Sequence, residues 1–111
     1  MRVALAVSLL IGCADSVEFR ICNESDFEMT DIVVGPDMVE KLASFECTPY
    51  EARDSIGSSP PAQLTALGEV YSRTPIDGGS FVTAGRWSYR LRVQHGREGA
   101  PNAVILRLVE Y

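Results

Sequence analysis

The chain has 111 residues, of which 46% are hydrophobic and 8% aromatic, and its formal net charge is −5. This length suffices for one domain and excludes two. A net acidic chain without a Lys/Arg cluster is a poor partner for phosphate backbones, so nucleic acid is not expected as a partner.

The chain opens with a short apolar segment. Arg2 precedes residues 3–11, which are small or apolar apart from Ser8. A membrane-spanning helix needs about 20 apolar residues, so this segment is typical of the hydrophobic region of a secretory signal peptide and is too short for a permanent anchor. The alternative is a buried N-terminal strand of a cytosolic protein, because short apolar runs are ambiguous by periodicity alone.

Leu10-Ile11-Gly12-Cys13 resembles the lipobox of bacterial lipoproteins. The resemblance, which covers residues 1–13, implies that residues 1–12 are cleaved and that Cys13 becomes a diacylglycerol-modified N-terminus. Residues 13–16 would then be a short lipidated tether and residues 17–111 a single domain. Ala14 follows the cysteine where inner-membrane lipoproteins have Asp, which favours the outer membrane, with the domain facing the periplasm or the cell surface.

Two cysteines remain if Cys13 carries lipid. An even pair in an exported chain indicates a disulfide, here between Cys22 and Cys47. Two buried free thiols are the alternative.

The first half of the chain contains four candidate strands. Residues 17–21 alternate apolar and polar side chains, as a half-buried strand does, and residues 27–34 follow a polar turn. Residues 38–42 fit either a strand or one helical turn, and residues 45–50 are the fourth candidate.

The second half begins with a loop at residues 55–61, which is rich in glycine, serine and proline. Residues 63–73 are expected to be extended, and turns are expected at residues 75–80 and at Ala84-Gly85. Residues 86–94 alternate clearly, and residues 103–109 return beside them.

Seven or eight short strands without a sustained helical period predict an all-β fold, a small antiparallel β-sandwich with one disulfide. The closing pattern of Gly85, Tyr89, Leu91 and Val93 before a last strand loosely resembles immunoglobulin-like and transthyretin-like modules.

No set of residues predicts catalysis, so we expect a protein that is not an enzyme and uses no cofactor or metal. His95 is the single histidine and has no histidine partner for a triad or a metal cluster. The acidic residues between Glu24 and Asp31 lack the ligand spacing of a calcium loop.

Two groups of side chains are candidates for partner binding. Arg86, Arg90 and Arg92 alternate onto one side of a strand, and Arg107 on the neighbouring strand is expected to join them. Pairing with carboxylates such as Glu18, or plain solvation, is the alternative. A second group could form an aromatic platform or else belong to the core; its members are Trp87, Tyr89, Tyr71 and Tyr50.

These observations favour a membrane-anchored, non-catalytic interaction module, an accessory subunit of a larger envelope complex whose partners are the membrane and an envelope protein. A glycan or small-ligand binder with residues 55–61 as its rim is one alternative. An inhibitor or immunity protein against an envelope hydrolase is the other, since residues 14–54 carry eleven acidic and three basic side chains.

Overall fold

The computed structural model describes residues 16–75 and 79–111. Within these residues there are ten strands: β1 (Val17–Asn23), β2 (Met29–Val34), β3 (Asp37–Leu42), β4 (Glu51–Arg53), β5 (Ile56–Gly57), β6 (Ala62–Ala66), β7 (Glu69–Arg73), β8 (Phe81–Val82), β9 (Gly85–Gln94) and β10 (Ala103–Glu110). These residues include no helix long and apolar enough to span a membrane.

Eight strands form one curled sheet in the order β3-β2-β6-β7-β10-β9-β1-β4, and β5 pairs with β8 in a small second sheet. The large sheet is mixed, because β1 runs parallel to β9 and β10 parallel to β7. Its two edge strands approach each other, since Arg53 on β4 bonds to Asp37 on β3. The all-β prediction is confirmed, but the sheet is not wholly antiparallel and a two-layer sandwich is not confirmed.

One side of the curled sheet forms the core. Side chains alternate across a strand, so every second residue of β1 is buried there: Val17, Phe19 and Ile21. Leu64 on β6 and Leu91 on β9 are fully buried beside them. Each such side chain contributes about 1.5 to 3 kcal/mol on burial, which makes this apolar side the main source of stability.

The strand predictions for residues 17–21, 27–34, 86–94 and 103–109 are confirmed, with bounds that differ by a few residues. Residues 38–42 belong to strand β3 and do not form a helical turn, because β3 pairs along its length with β2.

The prediction of a strand at residues 45–50 is wrong. In this stretch only Cys47 forms a β-bridge, to Cys22, and regular pairing starts at Glu51. Phe45 has a positive φ of 59°, which interrupts an extended conformation.

Residues 63–73 are not one extended stretch but a hairpin of β6 and β7, turning at Leu67 and Gly68. Both turn residues have positive φ, 52° and 76°, as a two-residue type I′ turn requires. The predicted loop at 55–61 contains strand β5. Of the turn expected at residues 75–80, residues 76–78 lie outside the described residues.

The predicted disulfide between Cys22 and Cys47 is formed, and it closes a loop of 25 residues. It ties the end of β1 to the segment before β4. Beside it, the buried amide of Asn23 donates to the carbonyl oxygens of Phe27, Leu42 and Ala43. This end of β1 is therefore held to both neighbouring loops.

Candidate functional site

The outward side of β1, β9 and β10 carries five arginines. The registers of the two strand pairs, Arg20 opposite Ser88 and Arg107 opposite Arg90, place all five on the same side of the sheet. We call this surface the arginine face; its arginines are Arg20, Arg86, Arg90, Arg92 and Arg107. The chain as a whole is acidic, at −5, so this face is a local concentration of positive charge.

At one end of the arginine face, Arg86 forms an ion pair with Glu18 at 2.9 Å. The hydrogen bond from Arg86 to Glu18, followed by their charge attraction, raises the pKa of Arg86. The Tyr50 ring lies against two guanidinium groups, 4.6 Å from that of Arg86 and 4.8 Å from that of Arg20. The alternative prediction of pairing with Glu18 is therefore confirmed for Arg86.

At the other end, three guanidinium groups surround the carboxylate of Glu24. Arg90 approaches its Oε2 atom at 3.0 Å. Arg92 and Arg107 each approach the Oε1 atom at 3.6 Å, and Oε1 is buried without a hydrogen bond. Arg90 and Arg107 lie directly opposite each other, where like charges repel, so Glu24 is the counter-charge that makes this arrangement tolerable.

The aromatic side chains do not form a platform. Tyr71 and Tyr89 are core residues, 1% and 3% exposed. Trp87 is half-buried on the core side of β9, away from the arginines, and donates its indole N–H to the carbonyl oxygen of Ala84. Tyr50 alone of the four contacts the arginine face, so the core interpretation holds for Tyr71 and Tyr89 and the partner-binding hypothesis for Trp87 has no contact to support it.

His95 is exposed at the end of β9, and its Nδ1 atom lies 3.2 Å from a carboxylate oxygen of Glu69. In the turn between β1 and β2, Glu24 points to the arginines, whereas Asp26 and Glu28 are exposed. Within residues 16–75 and 79–111, no group of three or more possible metal ligands lies together.

A partly enclosed cavity of about 290 Å³ lies beneath the small sheet. Its walls include four prolines, two aliphatic side chains, Phe81, the Tyr89 ring and the Asp37–Arg53 ion pair. The hydroxyl of Tyr89 donates to the carbonyl oxygen of Gly57. Burial, followed by repulsion from Asp37, raises the pKa of Tyr89 to about 12, so this phenol is neutral at physiological pH.

No protein-family model matches the sequence, and no curated protein sequence matches it either. Among solved structures, the fold is similar to that of a protein from Eubacterium rectale determined by NMR, with a TM-score of 0.53 and 17% sequence identity. The similarity covers 83% of this chain and 88% of that one. At this identity the similarity concerns the fold alone.

The sequence predicts four of the five arginines but gives no indication of Arg20 or of the role of Glu24, and it groups Tyr50 with the other aromatic residues rather than with the arginines that it contacts. Arg20 lies on β1, and its Nε atom donates to the hydroxyl of Ser88 on β9, which is 68 positions away in the sequence. A parallel pairing over that distance leaves no mark in local periodicity. The charge of Glu24 was visible, but it was grouped with its neighbours in the acidic turn.

Proposed function

We propose that this protein is a non-catalytic interaction module, tethered to the bacterial cell envelope through lipid on Cys13, and that the arginine face is the surface it presents to an envelope protein. The observation that carries the proposal is the arginine face itself. Among the described residues, four of its five guanidinium groups form ion pairs with two carboxylates, Glu18 and Glu24, while that of Arg20 donates to the hydroxyl of Ser88.

Arginine suits this role because its planar fork bonds to carboxylates in pairs and it is enriched at protein interfaces. Glu18 and Glu24 hold four of the guanidinium groups in position, so a partner meets a partly preorganised surface. The tether supports the same function: residues 13–16 are too short for a long leash, so the domain would stay close to the membrane and meet partners anchored there.

The tether is tested by mass spectrometry of the protein purified from bacterial membranes. We expect a mature chain that begins at Cys13 and carries a diacylglyceryl group, and a Cys13→Ala variant that carries no lipid and leaves the membrane fraction. A chain that begins at Met1 with a free Cys13 thiol would refute this part of the proposal.

The surface is tested by co-purification after mild solubilisation of the membranes. Arg86→Gln combined with Arg90→Gln should strongly reduce capture of the envelope partner, because each change removes one positive charge from the arginine face. Arg97→Gln is the matched control, since Arg97 is exposed in the β9–β10 loop outside the face. Equal capture by wild type and the double variant would count decisively against the arginine face as the interface.

A small-ligand binder is a second candidate function, favoured by the cavity beneath the small sheet. The cavity is bordered by the segment from Ser55 to Pro61 and contains the Tyr89 phenol and an ion pair. Apolar walls with a few polar groups are typical of ligand sites. Phe81→Ala should weaken binding of the ligand, because it removes an aromatic wall of the cavity. A ligand bound equally well by this variant would exclude the site.

A further inference from the structure

The end of the arginine face near Glu24 has more donors than its carboxylate can use. Each guanidinium group has five N–H donors, whereas one carboxylate offers about four acceptor sites. Arg90 is bonded to Glu24, but Arg92 and Arg107 remain beyond hydrogen-bond distance at 3.6 Å. Their side chains are 62% and 59% exposed, so their remaining donors face solvent.

We infer that Arg92 and Arg107 form a binding site for a carboxylate of a protein partner, within an acidic segment that also carries an aliphatic side chain. This inference deepens the proposed function and rests on it, because it names the chemistry that the arginine face recognises.

The two guanidinium groups flank one spot, since both approach the same Glu24 oxygen. A partner carboxylate on the solvent side of this oxygen would accept hydrogen bonds from the exposed N–H groups of both arginines at once. Such charge-assisted bonds are about twice as strong as neutral ones. Glu24 would then act as the internal counter-charge that holds the arginines together in the free protein.

An aliphatic side chain adjoins both arginines on the same surface. Ile105 is directly opposite Arg92 in the β9–β10 register and two residues before Arg107, and it is 42% exposed. Apolar contact flanked by charged groups is the usual composition of an interface patch. The partner segment should therefore place an aliphatic residue beside its Asp or Glu.

The position of the site favours a protein over lipid headgroups. With the tether at residues 13–16 and β1 upright on the membrane, the seven residues of β1 would extend about 20 Å from the bilayer. Arg92 lies beyond the last residue of β1, because Asn23 pairs with Leu91. Electrostatic attraction to anionic lipids fades within about 8 Å at physiological ionic strength, so the membrane surface would not reach this site.

The test is a titration of the mature protein, purified from bacterial membranes, with a peptide. The binding is followed by NMR through the Nε–H signals of Arg92 and Arg107. The probe is a synthetic peptide of alternating Glu and Val residues; the comparison peptide has Gln in place of Glu. Because NMR detects millimolar affinities, even weak binding gives a shift. We expect the Glu peptide to shift both signals and the Gln peptide to shift neither.

Substitutions show which arginines bind the peptide. Arg92→Gln combined with Arg107→Gln should weaken binding of the Glu peptide at least tenfold, whereas Arg97→Gln should leave it unchanged. Glu24→Gln should strengthen binding several-fold, because it removes the internal carboxylate that competes for the same donors. Melting curves of every variant establish that the fold is intact.

Three results would overturn the inference: no shift at millimolar Glu peptide, equal binding by the double variant, or weaker binding by Glu24→Gln. Inorganic phosphate and phosphatidylglycerol vesicles are titrated in parallel, and a stronger response to either than to the peptide would also reject a protein carboxylate. If the protein from bacterial membranes carries no lipid but binds the peptide, the tether is refuted and the carboxylate site is still supported. A lipidated protein that ignores the peptide would refute the site alone.

Discussion

Arg53 and Asp37 join the two edges of the curled sheet through a bidentate ion pair, with N–O distances of 2.7 and 2.8 Å. Arg53 ends β4 and Asp37 begins β3, the strands at opposite ends of the sheet order. The edges are therefore linked here by side chains. The guanidinium group also lies 4.7 Å from the Phe19 ring, which connects the link to the core.

Asp37→Asn should lower the free energy of unfolding by about 1 to 2 kcal/mol, because it removes the charge from a partly buried, doubly bonded pair. Chemical denaturation measures the change. Glu51→Gln is the control, since Glu51 contacts the same arginine but is 57% exposed. An equal loss of unfolding free energy in both variants would show that the ion pair between the edges stabilises the fold no more than an exposed contact does.

Asn23 connects the end of β1 to the segments around Phe27 and Leu42, and this connection can also be tested. Its amide group donates to three carbonyl oxygens and accepts from the backbone N–H of Ser25. Asn23→Asp should cost about 2 to 4 kcal/mol, because a carboxylate would face those carbonyl oxygens without a proton to donate. Thermal unfolding of Asn23→Asp beside the exposed control Gln63→Glu would show the difference. A loss below 0.5 kcal/mol would contradict the prediction.

The disulfide should contribute about 3 to 4 kcal/mol, as expected for closing a loop of 25 residues. Replacing Cys22 and Cys47 together by Ala should lower the midpoint of denaturation by the corresponding amount. Reductant should lower the midpoint of wild type equally and leave that of the double variant unchanged. A wild-type midpoint insensitive to reductant would argue against a stabilising bond.

Strands that show a local alternation of apolar and polar residues can be predicted from the sequence, whereas pairings between strands far apart in the chain cannot. Strand β9 was predictable because Trp87 to Val93 alternate faces over a long stretch, and the same alternation placed three arginines together. The parallel pairing of β1 with β9 was not predictable, since it joins residues 68 positions apart and leaves no turn between them. Consequently Glu24 and Arg20 were separated from the site to which they belong.

The β6–β7 turn was missed for a different reason: its first residue is unusual. Leu67 has a φ of 52° and is 65% exposed, although leucine disfavours the left-handed region that asparagine tolerates. Leu67→Asn should therefore raise the free energy of unfolding by about 0.5 to 1 kcal/mol. Denaturation curves of Leu67→Asn and of Val70→Asn, a change at an exposed strand position, separate turn geometry from surface polarity. A destabilised Leu67→Asn protein would show that the leucine side chain has a contact worth more than the turn.

Tyr89 should make the fold sensitive to alkaline pH. Its pKa is raised from 10.0 to about 12 because the phenol is buried near Asp37, so the unfolded chain loses this proton at a lower pH than the folded one. The contribution is fully present below pH 10 and is lost as the pH rises toward 12, by at most about 3 kcal/mol. Denaturation at a series of pH values should show this decline in wild type and a smaller one in Tyr89→Phe. Tyr111→Phe, a change at a side chain that is 89% exposed, should retain the wild-type decline. An identical decline in the Tyr89→Phe protein would assign the alkaline sensitivity to other groups.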